Sequence, residues 1–301
     1  MQALLIHSPG AGIQGASADD LSRLLKTAGY EVEVRTPKDQ DCAVMIARGA
    51  DLIVAAGGDG TVATVLLAAA SGARIGVIPL GTANNMANTL GITGTPTEVI
   101  AGWADAALRP IDIWTARGPW GERRFVEGCG LGALTSAAHQ MDDKAITGHS
   151  PEHEISMARA ALAKALSRDD PVRARLVIDG TPIEDERFLL LEMLNFGTVG
   201  PRLPIAWSAD PSDGAIDIGY VPDERYNDFC EWLSDGASPI GEAPIALRQG
   251  RRVEVTWHKA RFRIGDDYWP PVGEAEPTGT QQATIAAAQH GPSVLVPKRA
   301  S

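Results

Sequence analysis

The sequence predicts an α/β N-terminal domain with a parallel sheet, followed by a C-terminal antiparallel β-sandwich domain. Apolar strands and amphipathic helices alternate over the first third of the 301-residue chain, which is the pattern of a parallel sheet covered by helices. After Arg109-Pro110 the helices mostly give way to short alternating segments, separated by turns such as Asp213-Gly214. We therefore expect domains over residues 1–110 and 111–287.

The N-terminal elements follow one another as strand and helix in turn. Leu21, Leu24 and Leu25 form the apolar stripe of the first helix, and Gly29 ends it. We predict strands over 3–6, 31–35, 52–56 and 74–78. We predict helices over 18–28, 41–48 and 97–108, with two more that start near Val62 and near Met86. The carboxyl ends of parallel strands share one edge of the sheet, so the turns that follow these strands should lie together.

The C-terminal part reads mainly as strands. We predict strands over 111–116, 124–127, 172–178, 188–194, 216–221, 252–257 and 261–264, one helix over 153–167, and a strand-like segment over 293–297. The interval 141–152 contains His149 and is flanked by His139 and His153. Their spacing is not that of metal ligands, so we interpret the interval as a mobile surface loop.

A glycine-rich turn between a strand and a helix is the most informative stretch. It reads GGDGT and contains Gly57, Gly58, Asp59, Gly60 and Thr61. Glycines can take a positive φ and let backbone amides approach a ligand, and a helix N-terminus carries partial positive charge. Such a turn suits a phosphate. Asp59 would repel a bare phosphate, so we expect it to face a metal ion, a water or a nucleophile's proton; the alternative is a βα turn capped by Asp59 or Thr61.

Composition and charge limit the function classes. The net charge of −11 argues against a nucleic-acid partner, because a phosphate backbone requires a basic surface. Three scattered cysteines indicate reduced thiols rather than a disulfide or zinc framework. The N-terminus lacks a basic signal region and no apolar run is long enough for a transmembrane segment. We expect a cytoplasmic protein.

The motifs together closely resemble the diacylglycerol kinase catalytic family, which includes bacterial lipid kinases and sphingosine kinases. They are SPGAG at 8–12, GGDGT at 57–61, PLGTANNMA at 79–87, ADPSDGAID at 209–217 and the closing VLVP. GGDGT alone is also typical of NAD kinases and phosphofructokinases. The additional PLGTANN motif favours the lipid kinases over those two families. The resemblance covers nearly the whole chain, with the motifs in the expected order.

The resemblance implies a two-domain kinase whose N-terminal domain is like that of NAD kinases and phosphofructokinases. It places ATP between the domains. It also implies a last strand, at about 288–301, that returns to the first domain. It implies Asp59 as a catalytic residue, and nucleotide contacts from Ser8, Gly10, Gly12, Gly57, Gly58, Gly60, Thr61, Thr82 and Asn84. It also implies a structural Mg²⁺ held by Asp210, Asp213 and the carbonyl of Ala215, which are ligands that suit a hard cation. A turn without a metal is the alternative.

Three positions depart from the family's pattern. Ser8 stands where an Asn is usual, and Asn85 replaces a common Asp. The Asp-Gly-Glu motif, whose Asp acts as the general base, is replaced by Gly265-Asp266-Asp267. We take Asp266 as the candidate base and Asp267 as the second choice.

The leading hypothesis is an ATP-dependent lipid kinase that uses Mg²⁺ and phosphorylates the hydroxyl of a diacylglycerol-like or sphingoid lipid at a membrane surface, with transient membrane association. A catalytically silent nucleotide- or lipid-binding relative and an NAD kinase are the alternatives, and a homodimer is left open. Leu203, Ile205 and Trp207 are apolar residues that we assign to the core rather than to a lipid cleft.

Overall fold

The computed structural model describes residues 1–9, 16–142, 150–184, 186–238 and 243–298. Contacts between residues divide the chain into two compact units. Unit 1 comprises Met1–Ile113, Ser150–Glu152 and Gln289–Ser301, and unit 2 comprises Trp114–His149 and His153–Ala288.

Strands and helices occupy the following segments. The strands are β1 (Gln2–His7), β2 (Glu31–Arg35), β3 (Leu52–Gly57), β4 (Arg74–Pro79), β5 (Ala107–Gly118), β6 (Gly121–Phe125), β7 (Gly128–Gly132), β8 (Val172–Ile178), β9 (Thr181–Pro182), β10 (Arg187–Leu194), β11 (Ile216–Pro222), β12 (Ala246–Gly250), β13 (Arg252–His258), β14 (Phe262–Ile264), β15 (Asp267–Trp269) and β16 (Thr280–Val296). The α-helices are α1 (Ala18–Thr27), α2 (Cys42–Arg48), α3 (Asp59–Ala68), α4 (Asn85–Thr89), α5 (Pro96–Gly102), α6 (Ala133–Asp142), α7 (Pro151–Arg168) and α8 (Tyr226–Ser234), and 3₁₀ turns cover Trp103–Asp105 and Asp223–Arg225.

Unit 1 contains a parallel sheet in the order β2-β1-β3-β4-β16. Strand β3 is buried along its whole length, as expected for a central strand covered on both faces. The end of β16 joins this sheet, where Ser293 pairs with Arg74. The parallel-sheet α/β fold predicted for the N-terminal part is confirmed.

Two helices of unit 1 begin at capping boxes. The Ser17 side chain accepts the amide of Asp20 while the Asp20 side chain accepts that of Ser17, and Thr95 and Glu98 do the same before α5. The helix predicted over 97–108 is wrong in its last part. It ends at Gly102, and β5 begins at Ala107, because strand pairing outweighs the helix preference of Ala and Leu there.

Unit 2 is rich in antiparallel strands, as the sequence predicted. One set pairs in the order β15-β14-β7-β10-β11-β12, and a second set pairs β9-β8-β13 with the first part of β16. A short pairing of Phe188 with Val172 connects the two sets. Side chains from both sets form one apolar cluster that includes the fully buried Trp114 and Trp257.

The sequence prediction missed two helices of unit 2. Helix α6 follows β7 directly, and α8 follows β11 after a 3₁₀ turn. Both bury apolar residues in a second cluster, with Ala133, Leu134 and Phe229 among them. Of the loop predicted over 141–152, residues 143–149, including His149, lie outside the described residues; the flanking residues 141–142 and 151–152 are helical.

Candidate functional site

Three strands of unit 1 end at the same edge of the parallel sheet. His7 of β1 pairs with Ala56, and Gly57 of β3 pairs with Pro79 of β4, so the segments after these strands lie side by side. The Ser8 amide donates to the Ala56 carbonyl at 3.0 Å, which fixes the start of the first segment. Of the other contacts predicted in this segment, Gly10 and Gly12 lie outside the described residues.

The glycine turn and the loop after β4 cross at two glycines. A Cβ placed on Gly81 would lie 2.4 Å from the Cα of Gly58, closer than real side chains approach a backbone atom. A Cβ on Gly57 would likewise lie 2.3 Å from the hydroxyl oxygen of Thr61, which is buried. These positions therefore require glycine for steric reasons.

The expectation that these glycines use a positive φ is wrong. Gly57, Gly58 and Gly60 do not have a positive φ. Gly58 is extended, with φ −86° and ψ −171°. The chain turns instead by passing directly from β3 into α3. The N-cap residue of α3 is Gly58, which has no side chain to accept the amides of the first turn.

The Asp59 carboxylate joins the glycine turn to the next helix. Its Oδ2 accepts the Asn85 amide and its Oδ1 accepts the Met86 amide, each at 3.0 Å. These are the first two amides of α4, which would otherwise lack intrahelical acceptors. Asp59 itself is partly buried. The sequence alone did not reveal this structural role.

Asn84 shapes the loop that follows β4. Its backbone is left-handed, with φ 52°, a conformation that Asn tolerates. Its carboxamide oxygen accepts the Gly81 amide at 2.9 Å, and its Nδ2 donates to the Gly81 carbonyl at 2.7 Å. Thr82 lies half-buried within the loop that these bonds close. The structure thus brings Gly57, Gly58, Gly60, Thr61, Thr82, Asn84 and Asp59 into one region of unit 1.

The two candidate bases lie at a hairpin of unit 2. Ile264 pairs with Asp267, so Gly265 and Asp266 form the loop between β14 and β15, with Gly265 at φ +56°. Asp266 and Asp267 are both exposed, and Asp267 lies 3.5 Å from Arg123 in an ion pair. The loop therefore reads Gly-Asp where the family has Asp-Gly.

A buried ion pair lies directly behind this hairpin, and the sequence prediction missed it. Nη2 of Arg263 lies 2.6 Å from Oε2 of Glu192, and both side chains are buried. Nη1 of Arg263 donates to the Gly265 carbonyl at 3.0 Å. Burial alone would lower the pKa of Arg263, but the facing Glu192 carboxylate reverses that effect and keeps the guanidinium charged. A carboxylate inside the apolar run FLLLEML was the available signal.

The predicted metal ligands form a hydrogen-bonded turn in unit 2. Oδ1 of Asp210 accepts the amide and the hydroxyl of Ser212 at 3.0 and 2.7 Å. Asp213 accepts the Ala215 amide at 2.9 Å through Oδ1 and the Gln249 side chain at 2.8 Å through Oδ2. In the described part of the chain, no group of three or more His, Cys, Asp or Glu residues is placed to hold a metal ion.

Asp217 adds a third carboxylate near this turn. Its side chain is 7% exposed, and its Oδ2 has no hydrogen-bond partner among the described residues. Burial, followed by the negative charge of Asp213, raises the pKa of Asp217 to about 6. A bound cation would offset this repulsion between carboxylates. Carboxylate oxygens are also ligands that suit a hard cation.

Comparisons with known proteins identify relatives of this chain. The model of the diacylglycerol kinase catalytic domain matches residues 2–116. A diacylglycerol kinase of Bacillus subtilis is 30% identical over 89% of this chain and 90% of its own length. A diacylglycerol kinase of Mycobacterium tuberculosis is 32% identical, but the match covers only 58% of this chain and 56% of that protein, a little over half its length.

A solved structure supports the fold. The crystal structure of a diacylglycerol kinase from Bacillus anthracis aligns with a TM-score of 0.65 at 17% identity, covering 98% of this chain and 96% of that one. Within the described residues, no helix has the length and apolarity needed to cross a bilayer. The motifs, the fold and the Bacillus subtilis relative together show that this chain belongs to the diacylglycerol kinase catalytic family.

Proposed function

We propose that this protein transfers the γ-phosphoryl group of ATP to the hydroxyl of a diacylglycerol-like or sphingoid lipid. The observation that carries the proposal is the crossing of two glycine turns at Gly58 and Gly81, where a helix with glycine at its N-cap begins at the end of a parallel sheet. Such a site offers amides and a helix dipole to phosphate groups. Family membership supplies the reaction type.

The residues of unit 1 take distinct parts in this proposal. The amides of the glycine turn bind phosphate oxygens, and the hydroxyls of Ser8, Thr61 and Thr82 lie at the same sheet edge to orient the nucleotide. Asp59 joins the glycine turn to the start of α4, and Asn84 closes the loop after β4 on itself. Magnesium bound with ATP would neutralise charge on the transferring phosphoryl group.

We assign the general base to Asp266 rather than to Asp267. Asp267 is held in an ion pair by Arg123, whereas Asp266 occupies the tip of the hairpin loop. The Arg263–Gly265 hydrogen bond steadies that loop. The base would remove the proton of the lipid hydroxyl as the phosphoryl group is transferred.

We also propose that Asp210, Asp213 and the Ala215 carbonyl hold a structural Mg²⁺. The buried Oδ2 of Asp217 and the mutual repulsion of the carboxylates support this assignment. A metal that binds only the folded state raises stability by mass action, so chelation should lower the melting temperature of the wild type but not of Asp213→Ala. Equal melting of the wild type in chelator and in saturating Mg²⁺ would argue against the site.

The test of the function is transfer of labelled phosphate from ATP to a panel of diacylglycerols, sphingoid bases and free NAD. Label in a lipid supports the proposal. Label in NAD only would favour an NAD kinase. ATP binding without transfer to any acceptor would favour a silent relative, which the replacement of Asp-Gly-Glu by Gly265-Asp266-Asp267 makes a real alternative.

A further inference from the structure

The loop between β10 and β11 exposes an aromatic side chain from an otherwise buried segment. We call residues 197–209 the Trp207 loop. Val199, Leu203, Ile205 and Ala206 of this loop are 0–2% exposed, whereas Trp207 is 45% exposed. Seven large hydrophobic side chains are exposed among the described residues, and Trp207 is the aromatic one. The core assignment therefore fits Leu203 and Ile205 but not Trp207.

Backbone hydrogen bonds hold the Trp207 loop in a defined shape. Val199 and Leu203 exchange amide–carbonyl bonds of 3.0 Å, and the Ala206 amide donates to the Gly197 carbonyl at 3.1 Å. Nε of Arg159, on α7, donates to the Pro201 carbonyl at 3.2 Å. The residue just before Trp207 is thus fixed to the start of the loop. The exposure of Trp207 is a property of the folded loop and not of a frayed end.

The Trp207 loop also carries a positive charge. Arg202 is exposed and takes a left-handed backbone, with φ 55°, at the turn of the same loop. Burial, followed by the positive charge of Arg202, lowers the pKa of Arg159, which shows that the two guanidinium groups influence each other. The loop and the helix beside it thus contribute these two guanidinium groups in a chain whose net charge is −11.

We propose that the Trp207 loop contacts a lipid bilayer, with the Trp207 ring in the headgroup layer and Arg202 donating hydrogen bonds to lipid phosphates. Indole rings prefer this interface because one edge is polar and the rest apolar, and guanidinium groups pair with phosphate oxygens. The inference rests on the proposed function only in that a lipid substrate lies in a bilayer.

The size of the exposed surface favours a bilayer over a protein partner. A stable protein–protein interface buries roughly 800 Å² on each partner, and a single exposed indole cannot supply that area. A bilayer requires no shape complementarity, so one Trp and one Arg exposed on the same hydrogen-bonded loop are a sufficient contact. Brief membrane association of this strength also suits an enzyme that must leave the surface again.

The test uses the whole protein and vesicles of phosphatidylcholine and phosphatidylglycerol, without ATP. We expect the wild type to co-sediment with the vesicles, and its fluorescence to be quenched when the phosphatidylcholine is brominated. Trp207→Phe should lose most of that quenching at saturating lipid. Trp207→Ser should lower vesicle partitioning about tenfold through the lost apolar contact. Val272→Ser is the matched control, because Val272 is 46% exposed elsewhere in unit 2, and it should partition like the wild type.

Three results would overturn the inference: no vesicle binding by the wild type, equal quenching of Trp207→Phe and the wild type, or wild-type partitioning of Trp207→Ser. Lipid phosphorylation in detergent micelles separates this inference from the proposed function. Vesicle binding that depends on Trp207 supports the bilayer contact even if no lipid is phosphorylated in micelles, and that second result would count against the kinase proposal alone.

Discussion

Gly58 and Gly81 approach so closely that a Cβ on Gly81 would lie 2.4 Å from the Cα of Gly58. The contact joins the turn after β3 to the loop after β4, and the Leu80 amide donates to the Gly57 carbonyl beside it at 2.9 Å. The proposed phosphate site is therefore built by two strand ends that support each other. A change at either glycine should disturb both turns.

Gly81→Ala should destabilise the protein, because the new methyl group would meet backbone atoms that cannot rotate away. We expect a loss of about 3 kcal/mol in the free energy of unfolding, the upper end of overpacking costs. Gly102→Ala is the control, since a Cβ at Gly102 meets nothing within 4 Å, and it should change stability by less than about 0.5 kcal/mol. Denaturant unfolding measures both. Equal stability of the two variants would mean that the close approach is not maintained in solution.

Asp59→Ala should cost stability as well as activity. Removing the carboxylate leaves the Asn85 and Met86 amides without their acceptor, which costs about 1–3 kcal/mol. Asp59→Asn keeps one carboxamide oxygen, so its melting temperature should lie between those of Asp59→Ala and the wild type. If Asp59→Ala melts like the wild type, the carboxylate does not stabilise α4.

The buried Glu192–Arg263 pair should respond in opposite ways to single and double substitution. Glu192→Leu leaves a guanidinium buried without its partner, and Arg263→Met leaves a buried carboxylate; each should cost about 3–5 kcal/mol. The double variant Glu192→Leu with Arg263→Met should recover most of that loss. Urea unfolding of the single and double variants gives the coupling energy. Additive losses in the double variant would show that the ion pair is not formed.

Asp217 should make stability depend on pH between about 4 and 6. Burial and the Asp213 charge raise its folded-state pKa to about 6, above the ordinary value of 3.8, so the folded state binds the proton more tightly than the unfolded chain. Its ionised form therefore destabilises the fold at pH 7, and this destabilisation is lost as the pH falls through 6 toward 4.

Unfolding free energies at pH 7 and pH 5, measured in chelator so that no metal competes, check this prediction. The wild type should gain stability on acidification relative to Asp217→Asn, in which the group cannot titrate. Asp213→Asn should reduce the gain, because one source of the raised pKa is removed. An identical pH dependence in the wild type and Asp217→Asn would contradict the assignment.

Local signals in the sequence were enough to predict the strand before the glycine turn and the parallel sheet. The apolar run Leu52–Ala56 and the adjacent glycines specify that unit from within a few residues. The partners of Asp59 lie 26 and 27 residues away, and Glu192 lies 71 residues from Arg263, so only the tertiary fold brings these pairs together. The exposure of Trp207 was unpredictable for the same reason, since its apolar neighbours Leu203 and Ile205 are buried.

Phosphoryl transfer by Asp59→Asn tests the central claim most directly. Labelled ATP and a diacylglycerol are supplied in detergent micelles to the wild type, to Asp59→Asn and to Gly102→Ala, after circular dichroism has shown all three to be folded. We expect transfer by the wild type and by Gly102→Ala. The rate for Asp59→Asn should be at least about 100-fold lower, because the carboxamide has one acceptor oxygen where the carboxylate uses two to hold the Asn85 and Met86 amides in position. Equal transfer by Asp59→Asn and the wild type would contradict the assignment of the two crossing glycine turns as the ATP site.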